Sequence, residues 1–273
     1  MCYKLITFDF TGTLMRFRIP PHVQYEKIAN LYGVEIKNNQ AFRQNFKTAF
    51  KTVANKHPNF GCNTNLHWTQ WWVKVVKNTF IGAGVEDSQH LDAIAWHLIK
   101  LYSTTEGWEV VPGISLISFV PYQTKKICGK GVKKVLHLLK QKGKRLGVIS
   151  NMDPRLNNIL HEAGLIHNFE FILTSYEAKC FKPQAGIFKL ALEKYSKEST
   201  KPSESCHIGD SYKEDYLGKN VSLQYLGIQK HFILTGAVQA GWGAILVNES
   251  SNSLDINKWC ANFEEFDDTL LTA

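Results

Sequence analysis

Residues 5–14, which read LITFDFTGTL, decide the fold class of this chain of 273 residues. The first four residues are apolar or β-branched, a short run that predicts a buried β-strand. Asp9 follows this strand directly, ahead of a turn at Gly12. The order of residues therefore predicts an exposed carboxylate at the carboxyl end of a strand. An aspartate that only caps a turn fits the same stretch, so this stretch alone does not decide the function.

Strand-like runs and helical stretches alternate over the second half of the chain. The further strand-like runs lie at 146–149, 169–174, 205–208 and 244–247. Helical spacing is present at 132–141, 154–163, 184–195 and in part of 211–241. Alternation of this kind predicts an α/β fold, with a doubly wound (Rossmann-like) parallel sheet and helices on both faces. Such sheets bind ligands beyond the carboxyl ends of their strands.

Residues 17–110 differ from this pattern, because their apolar residues recur at helical spacing. Breaks at Gly33, at 58–61 and at 82–84 divide the stretch into four predicted helices. We expect a helical-bundle cap domain over 17–110, inserted into a discontinuous α/β core formed by 1–16 and 111–273. The many aromatic residues of the stretch are interpreted as the core of the bundle rather than as a cofactor-binding box.

The composition is that of a globular protein, with 44% hydrophobic and 21% charged residues. Because no run of about 18 apolar residues occurs, we expect neither a membrane-spanning helix nor a membrane partner. The N-terminal residues lack the apolar stretch of a secretory signal. The six cysteines are scattered, without a Cys-x-x-Cys pair, which is typical of reduced thiols. We therefore expect a cytoplasmic protein, with the nucleus and the mitochondrion as open alternatives.

The net charge of +8 raises the question of nucleic-acid binding. Two segments without acidic residues, 113–130 and 219–236, carry five lysines between them, which leaves +3 for the rest of the chain. A nucleic-acid interface would need clustered Lys and Arg on one element, together with aromatic partners. We expect a solvated surface instead, no nucleic-acid partner, and a small molecule as the substrate. These patterns do not set the oligomeric state.

Two more strand ends and one helix start carry polar residues that could do chemistry. Ser150 and Asn151 follow the strand at 146–149, and Lys182 precedes Pro183 at the start of a helix. Each also has an ordinary structural interpretation, as a loop residue or as a surface lysine before a helix.

Asp210 and Asp215 follow the strand at 205–208. Two carboxylates near one point repel each other, and a bound hard cation such as Mg²⁺ relieves that repulsion. A turn aspartate or a helix cap accounts for either residue alone, but poorly for both. The pair therefore favours a metal site.

These four elements, in this order on successive strands, resemble the haloacid dehalogenase (HAD)-like hydrolase superfamily over the whole chain. The pattern of that superfamily is an Asp-x-Asp-x-Thr strand end, a Ser or Thr strand end, a Lys, and a Gly-Asp pair. The stretch 17–110 then corresponds to the cap of the superfamily, and its residues 58–61 and 68–72 resemble one subgroup of it.

The resemblance implies covalent catalysis. Asp9 would be the nucleophile and would become an aspartyl ester. Ser150 would donate a hydrogen bond to the transferred phosphoryl group, and Lys182 would neutralise its developing charge. Asn151 and Gly12 would contact the substrate.

The resemblance also implies Mg²⁺ as the cofactor. Asp9, the backbone carbonyl of Thr11 and Asp210 would hold the ion, with Asp215 in support. The ion would screen the anionic nucleophile from an anionic substrate.

Thr11 departs from the pattern, because phosphatases of the superfamily carry an aspartate there that protonates the leaving group. A hydroxyl is a poor general acid, and such an acid typically contributes about 10²–10⁴ in rate. We therefore expect weak hydrolysis of alkyl phosphates, while acyl phosphates, anhydrides and aryl phosphates stay open as substrates. Two alternatives also stay open: carbon–phosphorus or carbon–halogen hydrolysis, and a catalytically quiet protein that binds a ligand or partner.

Two segments of 18 residues, 113–130 and 219–236, interrupt elements that the superfamily keeps continuous. The ends of the second segment, Gly218-Lys219 and Thr235-Gly236, can be encoded by the borders of an intron. We interpret both segments as translated intron sequence, and a genuine lineage-specific loop is the alternative. In that case the second segment would interrupt the element that carries Asp215.

Overall fold

The computed structural model describes residues 3–36, 38–111, 114–120, 123–195, 200–210 and 236–246. The chain divides into two compact units. The α/β unit consists of Met1–Arg16, Val110–Asn151 and Gly164–Ala273. The helical unit consists of Phe17–Glu109 and Met152–Ala163.

Within the described residues of the α/β unit, five parallel strands form a sheet. They are β1 (Leu5–Phe8), β6 (Arg145–Ser150), β7 (Phe171–Thr174), β8 (Ser205–Gly209) and β9 (Gly243–Leu246). Their order across the sheet is β7-β6-β1-β8-β9, and every neighbouring pair is parallel. The predicted doubly wound parallel sheet is confirmed, with strand boundaries that differ by at most two residues from the sequence-based ones.

The described helices of the α/β unit lie between its strands along the chain. They are α5 (Val132–Gln141), α7 (Ser175–Ala178), α8 (Ala185–Tyr195) and α9 (Gly236–Gln239), and short 3₁₀ turns lie at Ile166–Asn168 and Pro202–Glu204. The central strands are buried along their whole length, as expected for a parallel sheet covered on both faces. Phe188 of α8 is fully buried and packs edge-on against the ring of Trp242, with 5.4 Å between ring centroids. Burial of such apolar side chains between helix and sheet stabilises the unit.

Four α-helices occur between residues 17 and 109, as the helical spacing predicted. They are α1 (Pro21–Leu31), α2 (Asn39–Lys56), α3 (Trp68–Gly82) and α4 (Gln89–Leu101), with a 3₁₀ turn at Asn59–Thr64 between α2 and α3. Trp71 of α3 is 1% exposed, and its ring lies against Phe50 and Phe60. Its indole N–H donates to the carbonyl of His57. Trp71 thus lies in the bundle core, as the sequence predicted for the aromatic residues of this stretch, whereas Trp96 is 48% exposed.

The segment after β6 belongs to the helical unit, whereas the sequence analysis placed it in the α/β core. This segment contains α6 (Arg155–Glu162). The side chain of Asn158 donates to the carbonyl of Ser103, and the side chain of Glu162 accepts from the backbone N–H of Thr105. These hydrogen bonds join α6 to the loop that follows α4.

Asp153 and Arg155 form a buried ion pair at the start of α6. Two guanidinium nitrogens of Arg155 lie 2.8 and 2.7 Å from the carboxylate oxygens of Asp153. The guanidinium carbon lies 5.1 Å from the ring centroid of Trp68 and 5.0 Å from that of Trp72, within the range of cation–π attraction. The indole N–H of Trp72 also donates to Asp153. A charge-assisted cluster therefore holds α6 against α3.

Two further sheets, each of two strands, complete the described structure. The strands β2 (Met15–Phe17) and β3 (Trp108–Val110) form one of them, where the chain leaves and re-enters the α/β unit. The strands β4 (Ile114–Val120) and β5 (Gln123–Lys130) form an antiparallel pair, and their described residues are hydrogen-bonded to each other and not to the five-stranded sheet. The described parts of the first predicted insert, 114–120 and 123–130, thus pair with each other. Apart from Gly236, the second predicted insert lies outside the described residues.

No helix in the described ranges combines the length and the apolar character that crossing a membrane requires.

Candidate active site

Asp9 stands at the carboxyl end of the central strand β1. Its backbone N–H donates to the carbonyl of Ile208 on β8 at 2.8 Å, and only 6% of the residue is exposed. The chain then turns tightly, because the N–H of Gly12 donates to the carbonyl of Met15 at 2.7 Å. This turn ends the strand and leaves the Asp9 carboxylate at the sheet edge, where it is buried and not exposed as the sequence predicted.

The register of the sheet brings three of the predicted residues to the same edge. Phe8 is paired with Val148 on β6 and with Ile208 on β8. Ser150 and Asp210 therefore each lie one residue beyond the level of Asp9, on the strands at either side of it. Ser150 is buried and Asp210 is exposed.

Gly12 lies directly against Asp210. A Cβ atom added at Gly12 would overlap the carboxylate of Asp210, and the backbone of Gly12 has φ = 75°, a left-handed conformation that favours glycine. The turn after β1 and the end of β8 therefore meet, with the two carboxylate-bearing loops in contact.

Lys182 reaches the same edge from the loop before α8. Its ammonium nitrogen lies 2.9 Å from Oδ1 of Asp9, and the residue is 1% exposed. The side chain of Asn151 holds the backbone of this loop: its amide nitrogen donates to the carbonyl of Lys182 at 2.8 Å, and its amide oxygen accepts from the N–H of Lys182 at 2.7 Å. Asn151 thus positions Lys182, a contact that the sequence did not reveal. The predicted substrate contact of Asn151 stays a prediction.

His207 is a further buried member of this cluster that the sequence analysis did not select. Its Nε2 lies 3.3 Å from Nζ of Lys182, and its Nδ1 lies 2.9 Å from Oγ1 of Thr7. Thr7 and His207 face each other in register on β1 and β8. A polar residue in the interior of each of two buried strands was the available signal, but only the pairing of the strands shows that they meet.

Thr11 lies in the turn after Asp9 and is exposed. It forms an isolated bridge with Met15. Cys180 lies two residues before Lys182, and burial raises the pKa of its thiol. Because only the thiolate is an effective nucleophile, this cysteine is less reactive than an ordinary exposed one.

The predicted metal ligands are described only in part. Asp9 and Asp210 lie at neighbouring strand ends, whereas Asp215 lies outside the described residues. Within the described ranges, no group of three or more His, Cys, Asp or Glu side chains is placed to hold a metal ion. The described donors are the carboxylates of Asp9 and Asp210 and the backbone carbonyl of Thr11. All of them are oxygen atoms. Such a set fits a hard cation such as Mg²⁺.

The fold agrees with the family to which the sequence is similar. The family model for haloacid dehalogenase-like hydrolase matches residues 3–218. The chain therefore belongs to the haloacid dehalogenase-like hydrolase family. It is 35% identical to the rhythmically expressed gene 2 protein of Drosophila melanogaster, over 94% of this chain and 87% of that protein. It is 36% identical to haloacid dehalogenase-like hydrolase domain-containing protein 3 of Bos taurus, over 79% of this chain and 77% of that protein.

Solved structures share the fold at low sequence identity. The 2-haloacid dehalogenase of Pseudomonas syringae pv. Tomato covers 94% of this chain and 91% of its own, with a TM-score of 0.55 and 19% identity. The HAD-hydrolase YfnB of Bacillus subtilis, in a structure bound to magnesium, covers 89% of this chain and 88% of its own, with a TM-score of 0.56 and 15% identity.

Proposed function

We propose that this chain is a Mg²⁺-dependent hydrolase that transfers the phosphoryl group of a small activated phosphate ester or anhydride to Asp9 and then to water. The observation that carries the proposal is the buried ion pair between Asp9 and Lys182, at 2.9 Å, on the carboxyl edge of the sheet. A carboxylate and an ammonium group that are both shielded from water at this edge are suited to chemistry on an anionic substrate.

In the proposed reaction, a carboxylate oxygen of Asp9 attacks the phosphorus atom and the bond to the leaving group breaks. The resulting aspartyl phosphate is hydrolysed by a water molecule, which releases inorganic phosphate and regenerates Asp9. Lys182 neutralises negative charge on the transferred group, and Ser150 donates a hydrogen bond to it. Gly12 lets the loop backbone approach the substrate closely.

Asp9, the carbonyl of Thr11 and Asp210, with support from Asp215, would hold Mg²⁺. When bound, the ion would neutralise part of the charge that otherwise keeps an anionic nucleophile away from an anionic substrate. The oxygen donors and the contact between the Gly12 turn and Asp210 support this assignment.

Thr11 restricts the substrate class. A leaving group that needs a proton would find no strong acid at this position. Acyl phosphates, mixed anhydrides and aryl phosphates, whose leaving groups are stable as anions, therefore fit the site best. The helical unit would serve as the cap that selects among them.

Thr11 also favours two other functions. The first is a ligand- or partner-binding protein with little or no activity. The second is hydrolysis of a carbon–phosphorus or carbon–halogen bond, since 2-haloacid dehalogenase is among the proteins that share the fold.

A substrate panel tests the proposal. Acetyl phosphate, p-nitrophenyl phosphate, glycerol phosphate, phosphonoacetaldehyde and 2-chloropropionate would be supplied with Mg²⁺ or with EDTA. We expect Mg²⁺-dependent release of phosphate from the first two compounds. Activity that survives EDTA would contradict the metal assignment, and turnover of the haloacid or phosphonate alone would establish the carbon–heteroatom alternative. Binding without turnover of any compound would favour the binding protein.

Thr11→Asp is expected to raise the ratio of activity on glycerol phosphate to activity on p-nitrophenyl phosphate by about tenfold or more, because only the alkoxide leaving group needs a proton donor. The exposure of Thr11 leaves space for the carboxylate. Steady-state kinetics on both substrates provide the measurement. Thr11→Asn, of similar size but without an acid, is the matched control and should leave the ratio unchanged. A ratio that rises equally in both variants would show that residue 11 does not act as the acid.

Gly12→Ala is expected to weaken Mg²⁺ binding, because the added methyl group would displace the carboxylate of Asp210. Gly143→Ala is the matched control, since Gly143 also has a positive φ (68°) but has nothing within 4 Å of the added atom. Both changes should lower the unfolding free energy by about 1 kcal/mol through backbone strain. Calorimetric titration with Mg²⁺ separates them, and equal affinities in the two variants would contradict the placement of Asp210 at the metal site.

A further inference from the structure

We propose that His207 is a positioning residue for Lys182: its neutral imidazole, protonated on Nδ1, accepts a hydrogen bond from the Lys182 ammonium group and holds it on Asp9. Only one element of this proposal, the catalytic role of Lys182, rests on the proposed function. The hydrogen-bonding arrangement itself can be tested without turnover.

The His207 ring has a fixed orientation. The residue is fully buried on β8, and its ring packs edge-on against Phe188, with 5.2 Å between ring centroids. Thr7 lies opposite on β1 and contacts Nδ1 at 2.9 Å. The opposite ring nitrogen, Nε2, consequently points to Nζ of Lys182 at 3.3 Å.

The directions of the hydrogen bonds follow from their chemistry. The ammonium group of Lys182 can only donate, so Nε2 of His207 accepts from it and the ring proton lies on Nδ1. Nδ1 then donates to the hydroxyl oxygen of Thr7 at 2.9 Å. The hydroxyl of Thr7 in turn donates to the carbonyl of Cys206 at 3.4 Å. The chain of bonds runs from Lys182 through His207 and Thr7 to the backbone of β8.

A neutral ring is the form that this geometry accommodates. A protonated imidazole would place a second positive charge 3.3 Å from Nζ of Lys182, in a site shielded from water where like charges repel strongly. The neutral ring instead gives the ammonium group a second fixed partner besides Asp9. Two such partners hold the end of a flexible side chain that would otherwise occupy several rotamers.

Two substitutions separate the two nitrogens of the ring. In His207→Asn the amide nitrogen can replace Nδ1 and keep the contact with Thr7, but the shorter side chain no longer reaches Lys182. In His207→Gln the longer side chain can bring its amide oxygen to the place of Nε2 and accept from Lys182. We expect kcat to fall roughly tenfold in His207→Asn and to stay within about threefold of the wild type in His207→Gln, as the loss of one hydrogen bond to a charged group implies. KM should change little in either variant.

Nuclear magnetic resonance of the Mg²⁺-loaded protein provides a readout that needs no substrate. The ¹⁵N shifts of the His207 ring should show the Nδ1-protonated tautomer. Exchange of the Lys182 ammonium protons with water should be faster by about tenfold in His207→Asn than in His207→Gln, because only the former loses the acceptor. If His207→Asn fails to fold, Thr7→Val takes its place, since it removes the acceptor of the Nδ1 proton and should shift the tautomer.

The outcomes are separable from those of the substrate panel. A ring protonated on Nε2 or on both nitrogens overturns the inference, and so do equal exchange rates in the two variants. Absence of turnover in the wild-type protein, with the expected tautomer and exchange rates, would reject the proposed function and leave the inference about His207 supported.

Discussion

Asp9→Asn is expected to lower turnover at least ~10²-fold, as the removal of a covalent nucleophile does in other enzymes. The amide cannot attack the phosphorus atom, yet its oxygen occupies nearly the same position and can still accept from Lys182, whose ammonium lies 2.9 Å from Oδ1. The fold should therefore survive with some loss of stability, because the buried Lys182 loses its counter-charge. Initial rates on the best substrate of the panel, together with a thermal melt, provide the measurement.

The matched control for this prediction is Asp92→Asn in the helical unit. Asp92 also pairs with a lysine, Lys77, at 3.1 Å, but half of its side chain is exposed. The same chemical change there should leave turnover unaffected. If Asp9→Asn keeps more than a few per cent of the activity of a purified active preparation, the covalent mechanism is wrong. Trapping of a phosphorylated protein at acid pH would separately identify the aspartyl phosphate.

Asp153→Ala is expected to lower the free energy of unfolding by about 3–5 kcal/mol, because it leaves a buried guanidinium group without its counter-ion. Asp153 is fully buried, and Arg155 is 8% exposed. The change also removes the acceptor of the Trp72 indole N–H. A loss of this size is a large part of the about 5–15 kcal/mol by which domains are stable. Urea unfolding followed by tryptophan fluorescence provides the measurement.

Two comparisons make this prediction specific. Asp92→Ala breaks an exposed ion pair and should change the unfolding free energy far less. The double variant Asp153→Ala/Arg155→Met should be more stable than Asp153→Ala, since it removes the unpaired charge and keeps an unbranched apolar stem between Trp68 and Trp72. If Asp153→Ala costs no more than Asp92→Ala, the cluster does not stabilise the helical unit.

The sheet and the placement of Asp9, Ser150 and Asp210 at one edge of it could be predicted from the sequence, because both depend on local patterns, whereas Lys182 was assigned only through the resemblance to the superfamily. Buried parallel strands are short apolar runs, and the rules of connection in α/β folds put their carboxyl ends on one edge. A polar residue at the end of such a run is therefore placed without knowledge of any contact. The four helices between residues 17 and 109 followed from spacing for the same reason.

The partners of these residues could not be read from the sequence, because they depend on which elements pack together. For Asn151 the sequence predicted a substrate contact, which stays a prediction, and it gave no sign that both ends of the amide hold the backbone of Lys182, 31 residues later. In the sequence, His207 is a polar residue within a buried strand. Only the register of β1 and β8 shows that its ring lies between Thr7 and Lys182.

The assignment of 152–163 to the helical unit shows the same limit. Its helical spacing is that of any helix that follows a strand in an α/β fold, so the sequence analysis placed it in the core. The contacts of Arg155 instead link the segment to the helical unit. Its guanidinium group lies over the rings of Trp68 and Trp72, more than 80 residues earlier in the chain. Amino-acid order by itself determined the strands, the helices and the sheet edge at which the proposed active site lies. Tertiary structure decided which side chains hold that edge in place, since a buried polar group is satisfied by its nearest partner in space and not by its neighbours in the chain.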